Sequence, residues 1–247
     1  ACGESQVLTE ELVRQADRLE NVEIVHMVAM GQAPYCQPGM EKHFKHNALF
    51  VGGSTRKAVE EGRADYTPCF FHEAPQLFAD GTLPVDVVFL QLSEPDEDGN
   101  CSYGVSVDYT QPAAEVAKLV IAQINKNMPY TYGNGINLKD IDYIVEKDED
   151  LIELQPPKIG ETERKIGEYI ASLIHDGDTL QLGIGAIPDA VLSFLGDKKD
   201  LGIHSEMFSD GVVDLARKGV ITNKKKTVDP GKFVSCFLMG TKNYMTL

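Results

Sequence analysis

The stretch Thr179-Leu-Gln181-Leu182-Gly183-Ile184-Gly185-Ala-Ile187-Pro188, followed by Gly202-Ile-His204-Ser-Glu206-Met-Phe-Ser-Asp-Gly211, decides the fold class of this chain. Thr179 to Leu182 reads as a buried strand running into a glycine turn, and Pro188 suits the first turn of the helix that follows. Leu201 and Ile203 read as the end of a second strand. In an open parallel sheet, strand C-terminal ends and the helix N-termini after them share one crevice, where ligands bind. That geometry places the Glu206 carboxylate opposite a row of backbone amides, which suits covalent acyl chemistry: a nucleophile beside donors aimed at a developing oxyanion. The same pattern also fits a carboxylate that only stabilises a helix start through the macrodipole. Both readings stand on spacing alone.

Outward from this stretch, strand and helix patterns alternate, which predicts an α/β fold built on open, mostly parallel sheets. Leu8, Leu12, Ala16 and Leu19 fall on one helical face, and Val22 to Met27 reads as a strand. Ala48-Leu-Phe-Val51 reads as a short buried strand, followed by Gly52-Gly-Ser54-Thr-Arg56 and a helix through Glu61. Val85 to Leu92 is the strongest strand pattern, and Pro95 to Asn100 is a turn. Pro112 to Lys118 suits a helix running on to the apolar stretch Leu119 to Ile124. Ile141 to Val145 reads as a strand, Ile166 to Ile174 as an amphipathic helix, and Lys232 to Leu238 as a last strand.

A change of composition from Asp140 to Pro157 marks a boundary. The expected division is a first α/β module over 1–150, a linker over 151–160 and a second module over 161–247. Gly3 and Leu12 echo Gly183 and Leu192 at an offset of 180 residues, and His26 echoes His204 after a two-residue deletion. This predicts a duplicated module, the second incomplete, with Val28 standing where Glu206 stands in the other copy. Both ends read as cut, so the chain is expected to be part of a longer protein.

The 247 residues, 43% of them hydrophobic and 25% charged, are enough for a sizeable packed core. Lys plus Arg number 23 against 38 Asp plus Glu, a net charge of −15 that argues against nucleic acid or anionic membrane as the main partner. Cys2, Cys36, Cys69, Cys101 and Cys236 are odd in number and never paired as CxxC, a reduced pattern without zinc-knuckle spacing. No apolar run approaches the roughly 18 residues of a membrane span. A soluble, cytoplasmic protein is expected. The six histidines form no HExxH or similar ligand set, so no metal is expected.

Gly183-Ile-Gly185 fails as a dinucleotide fingerprint because the third glycine position is Pro188, which disfavours a nicotinamide-dependent oxidoreductase. The remaining choices are an amide-lined anion site or a close-packed turn. Ser54 is the best phosphate or carboxylate contact in the first half, or an ordinary N-cap. His204 reads as a buried hydrogen-bonded histidine, Asp96 to Asp98 as solvated turn acids, and Lys224-Lys-Lys226 as a solvated basic patch.

Thr179 to Leu192 and Gly202 to Leu215 together resemble the acetyl-CoA hydrolase/transferase family, and within it the 4-hydroxybutyrate and butyryl-CoA:acetate CoA-transferases. Ser54-Thr-Arg56, Phe70 to Pro75, Val85 to Gly104, Val220 to Thr227 and Phe237 to Lys242 extend the likeness over essentially the whole chain. The resemblance implies a pair of CoA-transferase α/β modules and ping-pong transfer of CoA between a short-chain acyl-CoA and a carboxylate such as acetate or 4-hydroxybutyrate. Glu206 would form an acyl-glutamyl anhydride and then a glutamyl-CoA thioester in a water-poor pocket. Gly183, Gly185 and Ile187 would supply the oxyanion-holding backbone, with Gln181 and His26 as polar groups of the pocket wall and Ser54 as a contact for the substrate carboxylate. No cofactor is implied, coenzyme A being a substrate. A homodimer working in butyrate metabolism would fit. An acyl-CoA hydrolase differs only in admitting water to the acyl-enzyme, and a non-catalytic ligand-binding module on the same fold is the other alternative. The family's second glycine-rich loop, of GxGGQxDF type, is not among these residues, so the chain alone is expected to be incomplete for catalysis.

Overall fold

The computed structural model describes residues 2–242, which divide into two compact units, Ala1–Ile152 and Glu153–Leu247. Unit 1 opens with α1 (Gln6–Arg14), whose N-cap Ser5 accepts a hydrogen bond from the Leu8 amide at 3.1 Å, as a serine at a helix start should. Strands β1 (Val22–His26) and β2 (Phe44–Ala48) pair in parallel. Helix α2 (Arg56–Glu60) then leads to β3 (Ala64–Tyr66), which pairs in parallel on the far side of β2. Helix α3 (Ala74–Ala79) precedes β4 (Val87–Leu92) and the short β5 (Asn100–Ser102). Helix α4 (Thr110–Val116), β6 (Leu119–Ile124), β7 (Gly135–Asn137) and β8 (Tyr143–Glu146) complete the unit. The order β4-β6-β8 is a second parallel sheet, and β5 and β7 form a separate antiparallel pair.

Two expectations are corrected here. The strand placed at Ala48 to Val51 lies earlier, at Phe44–Ala48, and its polar run is stabilised by its own bonds. The His46 Nδ1 lies 2.8 Å from the Ile24 carbonyl oxygen, and Asn47 donates to Glu23 at 2.9 Å and accepts from Thr67 at 2.7 Å. Leu119 to Ile124 does not continue a helix. Ala117 ends α4 with extended backbone (ψ 143°), and the apolar run becomes the central strand β6.

The core of the second sheet packs Leu90, Leu92, Val120 and Ala122 with Cys101 and Tyr103. Truncating a residue such as the fully buried Leu92 to Ala costs about 2–5 kcal/mol in comparable cores. A polar spine crosses the strand ends. Buried Gln123 accepts from Ser5 at 2.6 Å and donates to the Lys147 carbonyl at 2.8 Å, while Asn125 donates to Gln91 and to the Glu149 carbonyl. These bonds fasten the N-cap of α1 to β6, so the first helix cannot drift from the sheet.

Unit 2 contains α5 (Glu161–Ser172), β9 (Thr179–Leu180), α6 (Ala186–Ser193), β10 (Gly202–Ile203), β11 (Met207–Phe208), α7 (Asp210–Arg217) and β12 (Phe237–Leu238). β9 pairs with β10 and β11 with β12, both in parallel. Single bridges join Leu201 to Ile221 and His204 to Val234. The final strand is thus much shorter than the Lys232 to Leu238 expected. Helices α5 and α6 cross closely because Gly167 has no side chain: a Cβ there would lie 2.8 Å from the Ala190 carbonyl carbon. The buried face of α5 is therefore Gly167 and Ala171, while Tyr169, Ile170 and Leu173, apolar positions of the expected amphipathic helix, are exposed. The sequence echo has a structural counterpart. α1 begins at Gln6 and α6 at Ala186, the same offset of 180 (186 − 6), and a parallel-paired segment ending in His26 or His204 follows each.

Candidate active site

The site is built around the passage from β9 into α6. Beyond Leu180 the chain runs through Gln181, Leu182 and the Gly183-Ile184-Gly185 turn. Gly185 has φ 118° and ψ −175°, a region essentially reserved for glycine. Helix starts leave their first amides without intrahelical acceptors. In α6 no side chain caps them; Pro188 removes one and the Asp189 amide reaches the Gly185 carbonyl at 3.4 Å. The amides of Ala186 and Ile187 are left without an acceptor among the described residues. They are adjacent donors at the positive end of an eight-residue helix, the combination that attracts anions.

Glu206 stands on the neighbouring segment. Exposure alternates along it: His204 and Glu206 are exposed, while Ser205 and Met207 are buried. The Glu206 carbonyl accepts from the Cys236 amide at 2.9 Å, so its backbone is fixed while its side chain projects outward. Two serines lace this segment to the glycine turn on either side of Glu206. The buried Ser205 hydroxyl accepts from the Leu182 amide at 2.9 Å and donates to the Leu182 carbonyl at 3.0 Å. The Ser209 hydroxyl donates to Asp189, in the first turn of α6, at 2.8 Å. The carboxylate-bearing segment is therefore tied to both ends of the turn that carries the free amides.

Beneath β10 the structure holds a device that the sequence concealed. Between the Leu201–Ile221 and His204–Val234 bridges, the 223–232 loop leaves the sheet, and the only backbone bond to Ile203 on that side is the long one from the Val234 amide to its carbonyl, at 3.4 Å. Asn223 Oδ1 accepts the Ile203 amide at 2.8 Å, and Lys226 Nζ donates to the Ile203 carbonyl at 2.8 Å and to the Lys232 carbonyl at 2.7 Å. Lys226 is thus buried, contrary to the solvated patch expected, and burial pushes its pKa below the usual lysine value. Its stem covers Gly202, where a Cβ would come within 2.6 Å of Lys226 Cγ.

The remaining expected residues fall as follows. Gln181 is exposed and donates to the Leu182 carbonyl at 3.1 Å; Gly183, Gly185 and Ile187 are exposed at the turn. Ser54, in unit 1, lines a hollow of about 230 Å³ with Lys57 and Arg63. His26 differs from the pocket-wall role expected of it: it is an interior side chain of unit 1. Its Nδ1 donates to the Met27 carbonyl at 3.1 Å, which makes Nε2 the acceptor for the Tyr35 hydroxyl at 2.5 Å. Its ring stacks on His46 at 4.1 Å, and burial first, then His46, holds its pKa well below the ordinary histidine value. Glu206 also differs from expectation in its surroundings, being exposed and not sunk in a water-poor pocket. A cavity of about 420 Å³ in unit 2 is lined by its neighbours Met207 and Ser209 with Ile184, Gly185 and Asp189, and not by Glu206 itself. Among the described residues no group of His, Cys, Asp and Glu is arranged to hold a metal.

Sequence reasoning passed over Ser205 and Asn223, weighed Ser209 only as a helix cap and took Lys226 for a solvated residue. For Ser205 the signal was a polar residue at a buried position of an alternating segment; for Lys226, an asparagine ahead of it with the left-handed conformation (φ 58°) that turns the loop inward.

A model of the acetyl-CoA hydrolase/transferase N-terminal domain matches residues 1–156. A 4-hydroxybutyrate coenzyme A transferase of Clostridium kluyveri is 65% identical over 98% of this chain and 57% of its own length. A succinyl-CoA:acetate/propanoyl-CoA:succinate CoA transferase of Fasciola hepatica is 45% identical over 91% of this chain and 47% of its own length. The crystal structure of a 4-hydroxybutyrate CoA-transferase from Porphyromonas gingivalis, 43% identical, superposes with a TM-score of 0.86, covering all of this chain and 58% of that one. The chain thus spans about half the length of the curated relatives it matches. Its parallel sheets are those of the CoA-transferase fold, and the chain belongs to the acetyl-CoA hydrolase/transferase family.

Proposed function

We propose that this chain is the glutamate-bearing part of an acyl-CoA:carboxylate CoA-transferase acting on short-chain acids such as 4-hydroxybutyrate and acetate. The observation that carries the reading is that the segment bearing Glu206 is tied through Ser205 and Ser209 to the turn whose Ala186 and Ile187 amides have no acceptor among the described residues. The name of the Clostridium kluyveri relative supports the choice of acid. A Glu206 carboxylate oxygen attacks the thioester carbonyl, the C–S bond breaks, and CoA leaves as its thiolate, giving an acyl-glutamyl anhydride. The thiolate attacks the glutamyl carbonyl and expels the first carboxylate, leaving a glutamyl-CoA thioester. An incoming carboxylate attacks that thioester and frees the thiolate. Thiolate attack on the new acyl group then completes the exchange and restores Glu206. Each tetrahedral intermediate places negative charge on a former carbonyl oxygen, for which backbone donors at a helix start are suited. Exclusion of water from Glu206 falls to residues outside this chain, and Ser54 contacts a substrate carboxylate. Coenzyme A is a substrate, and no resident cofactor takes part. We place the working enzyme in the cytoplasm, a reading supported by the reduced Cys36, Cys69 and Cys101, and infer that it works as a homodimer in butyrate metabolism. Among the described residues no helix is long and apolar enough to cross a membrane.

The test is Glu206→Gln in the full-length protein, with hydroxylamine trapping of the glutamyl-CoA thioester. Loss of trapping and of acceptor-dependent exchange is expected. Retained exchange would refute the nucleophile assignment, and steady CoA release by the wild type without acceptor would make the protein a hydrolase.

A further inference from the structure

We infer that Ser205 and Ser209 are positioning residues that set the gap between the Glu206 carboxylate and the amides of Ala186 and Ile187; this rests on the transferase reading above. In a continuing parallel ladder the Leu182 amide would pair with the backbone of the next strand, as His204 does with Leu180 at 3.1 Å. Instead it bonds the Ser205 hydroxyl, which also returns a proton to the Leu182 carbonyl. One side chain thus stands in the ladder at the point where β9 and β10 part, and it holds the two backbones open by its own width.

Ser209 supplies the second tie. It is the N-cap residue of α7, a position where serine normally bonds an amide of the first turn. Here it makes no capping bond, and its hydroxyl is committed to Asp189 of α6. Helix α7 forgoes its cap and the segment is anchored to the helix that carries the free amides. One tie precedes Glu206 by one residue and the other follows it by three, so together they fix the stretch of backbone from which its side chain projects. The Ser205 hydroxyl is not free to reach substrate, since it is buried and both its bonds are internal.

The experiment compares Ser205→Ala, Ser209→Ala, the double variant and Ser205→Thr in the full-length enzyme, with Glu206→Gln alongside. Reactant misplacement by about 1 Å costs on the order of 100-fold in rate, so each alanine variant should slow single-turnover thioester formation roughly 10- to 100-fold. The acyl-CoA KM should stay within about 2-fold, because uniform binding is untouched. Ser205→Thr, which keeps the hydroxyl, should recover most of the rate. Active sites are counted by the amount of trapped thioester, so a merely structural role would lower that amount and leave the rate per site unchanged. That result, or alanine variants at full rate while Glu206→Gln is inactive, overturns the positioning role and leaves the transferase reading standing. If Glu206→Gln still exchanges, both fall.

Discussion

Gly185 offers a test in which backbone conformation and steric space are separated. An added Cβ at Gly185 would meet nothing within 4 Å, so Gly185→Ala introduces no clash. Its whole cost lies in holding an L-residue at φ 118°, ψ −175°. Such glycine-only conformations cost about 1–3 kcal/mol for other residues. Gly183→Ala is the matched control, since its φ is ordinary and a Cβ there would make only a normal 3.9 Å contact with Pro188 Cγ. Removing glycine freedom from the unfolded chain should even stabilise that variant by about 0.4–1 kcal/mol. For a chain of this size 1 kcal/mol moves Tm by roughly 2–4 °C, so melting of the two variants should separate by several degrees, Gly185→Ala lower. The turn has a second response available: it can rotate to a permitted φ and turn the Ala186 and Ile187 amides away. In the full-length enzyme the thioester-forming rate would then fall further in Gly185→Ala than in Gly183→Ala, whose turn keeps its conformation. Equal melting temperatures and equal rates for the two variants would show that the strained turn is not required.

Lys226→Met removes two hydrogen bonds from a charged donor, each worth about 1.5–3 kcal/mol, and leaves the Ile203 carbonyl only the Val234 amide at 3.4 Å; a loss of at least about 2 kcal/mol is expected by urea titration. Because the folded pKa of Lys226 is lowered, the unfolded chain binds the extra proton between that value and about 10.4, so wild-type stability relative to Lys226→Met should rise with pH across that window. A difference independent of pH would refute the burial of the amine. His26 and His46 are likewise held below the usual histidine pKa, mainly by burial. Unfolded histidines take up protons first as pH drops below about 6.5, so stability should fall from there toward the lowered folded pKa values, and the slope should be shallower in His46→Gln. Imidazole resonances that titrate at the ordinary pH in the native state would contradict this.

The features legible in the sequence were those whose residues face one environment. Val87 to Leu92 lies in a parallel sheet and reads as an apolar run broken only by Gln91, much as such strands do. The Gly183–Pro188 turn was legible because Gly185 and Pro188 each answer a backbone requirement that few residues meet. What stayed hidden depended on partners distant in the chain. β2 was misplaced because Lys45, His46 and Asn47 look like loop, and their bonds to Ile24, Glu23 and Thr67 are tertiary. The interior face of α5 was misread because a glycine, not the large apolar residues, makes the contact that brings α6 close. Glu206 itself was legible as a candidate from its place at a strand end. The serines that hold it were not, since a hydroxyl carries no mark of what it will bond.

Where Asn223 and Lys226 supply the short bonds beside Ile203 that a neighbouring strand would otherwise make, the seam of the sheet is written largely in side chains. A peptide seam tolerates nearly any substitution, because every residue but proline brings the same amide. This seam can be erased by one codon. The loop from 223 to 232 is therefore free to vary in length and course only so long as those two residues arrive at the same strand, and drift elsewhere in it should leave the glutamate segment undisturbed.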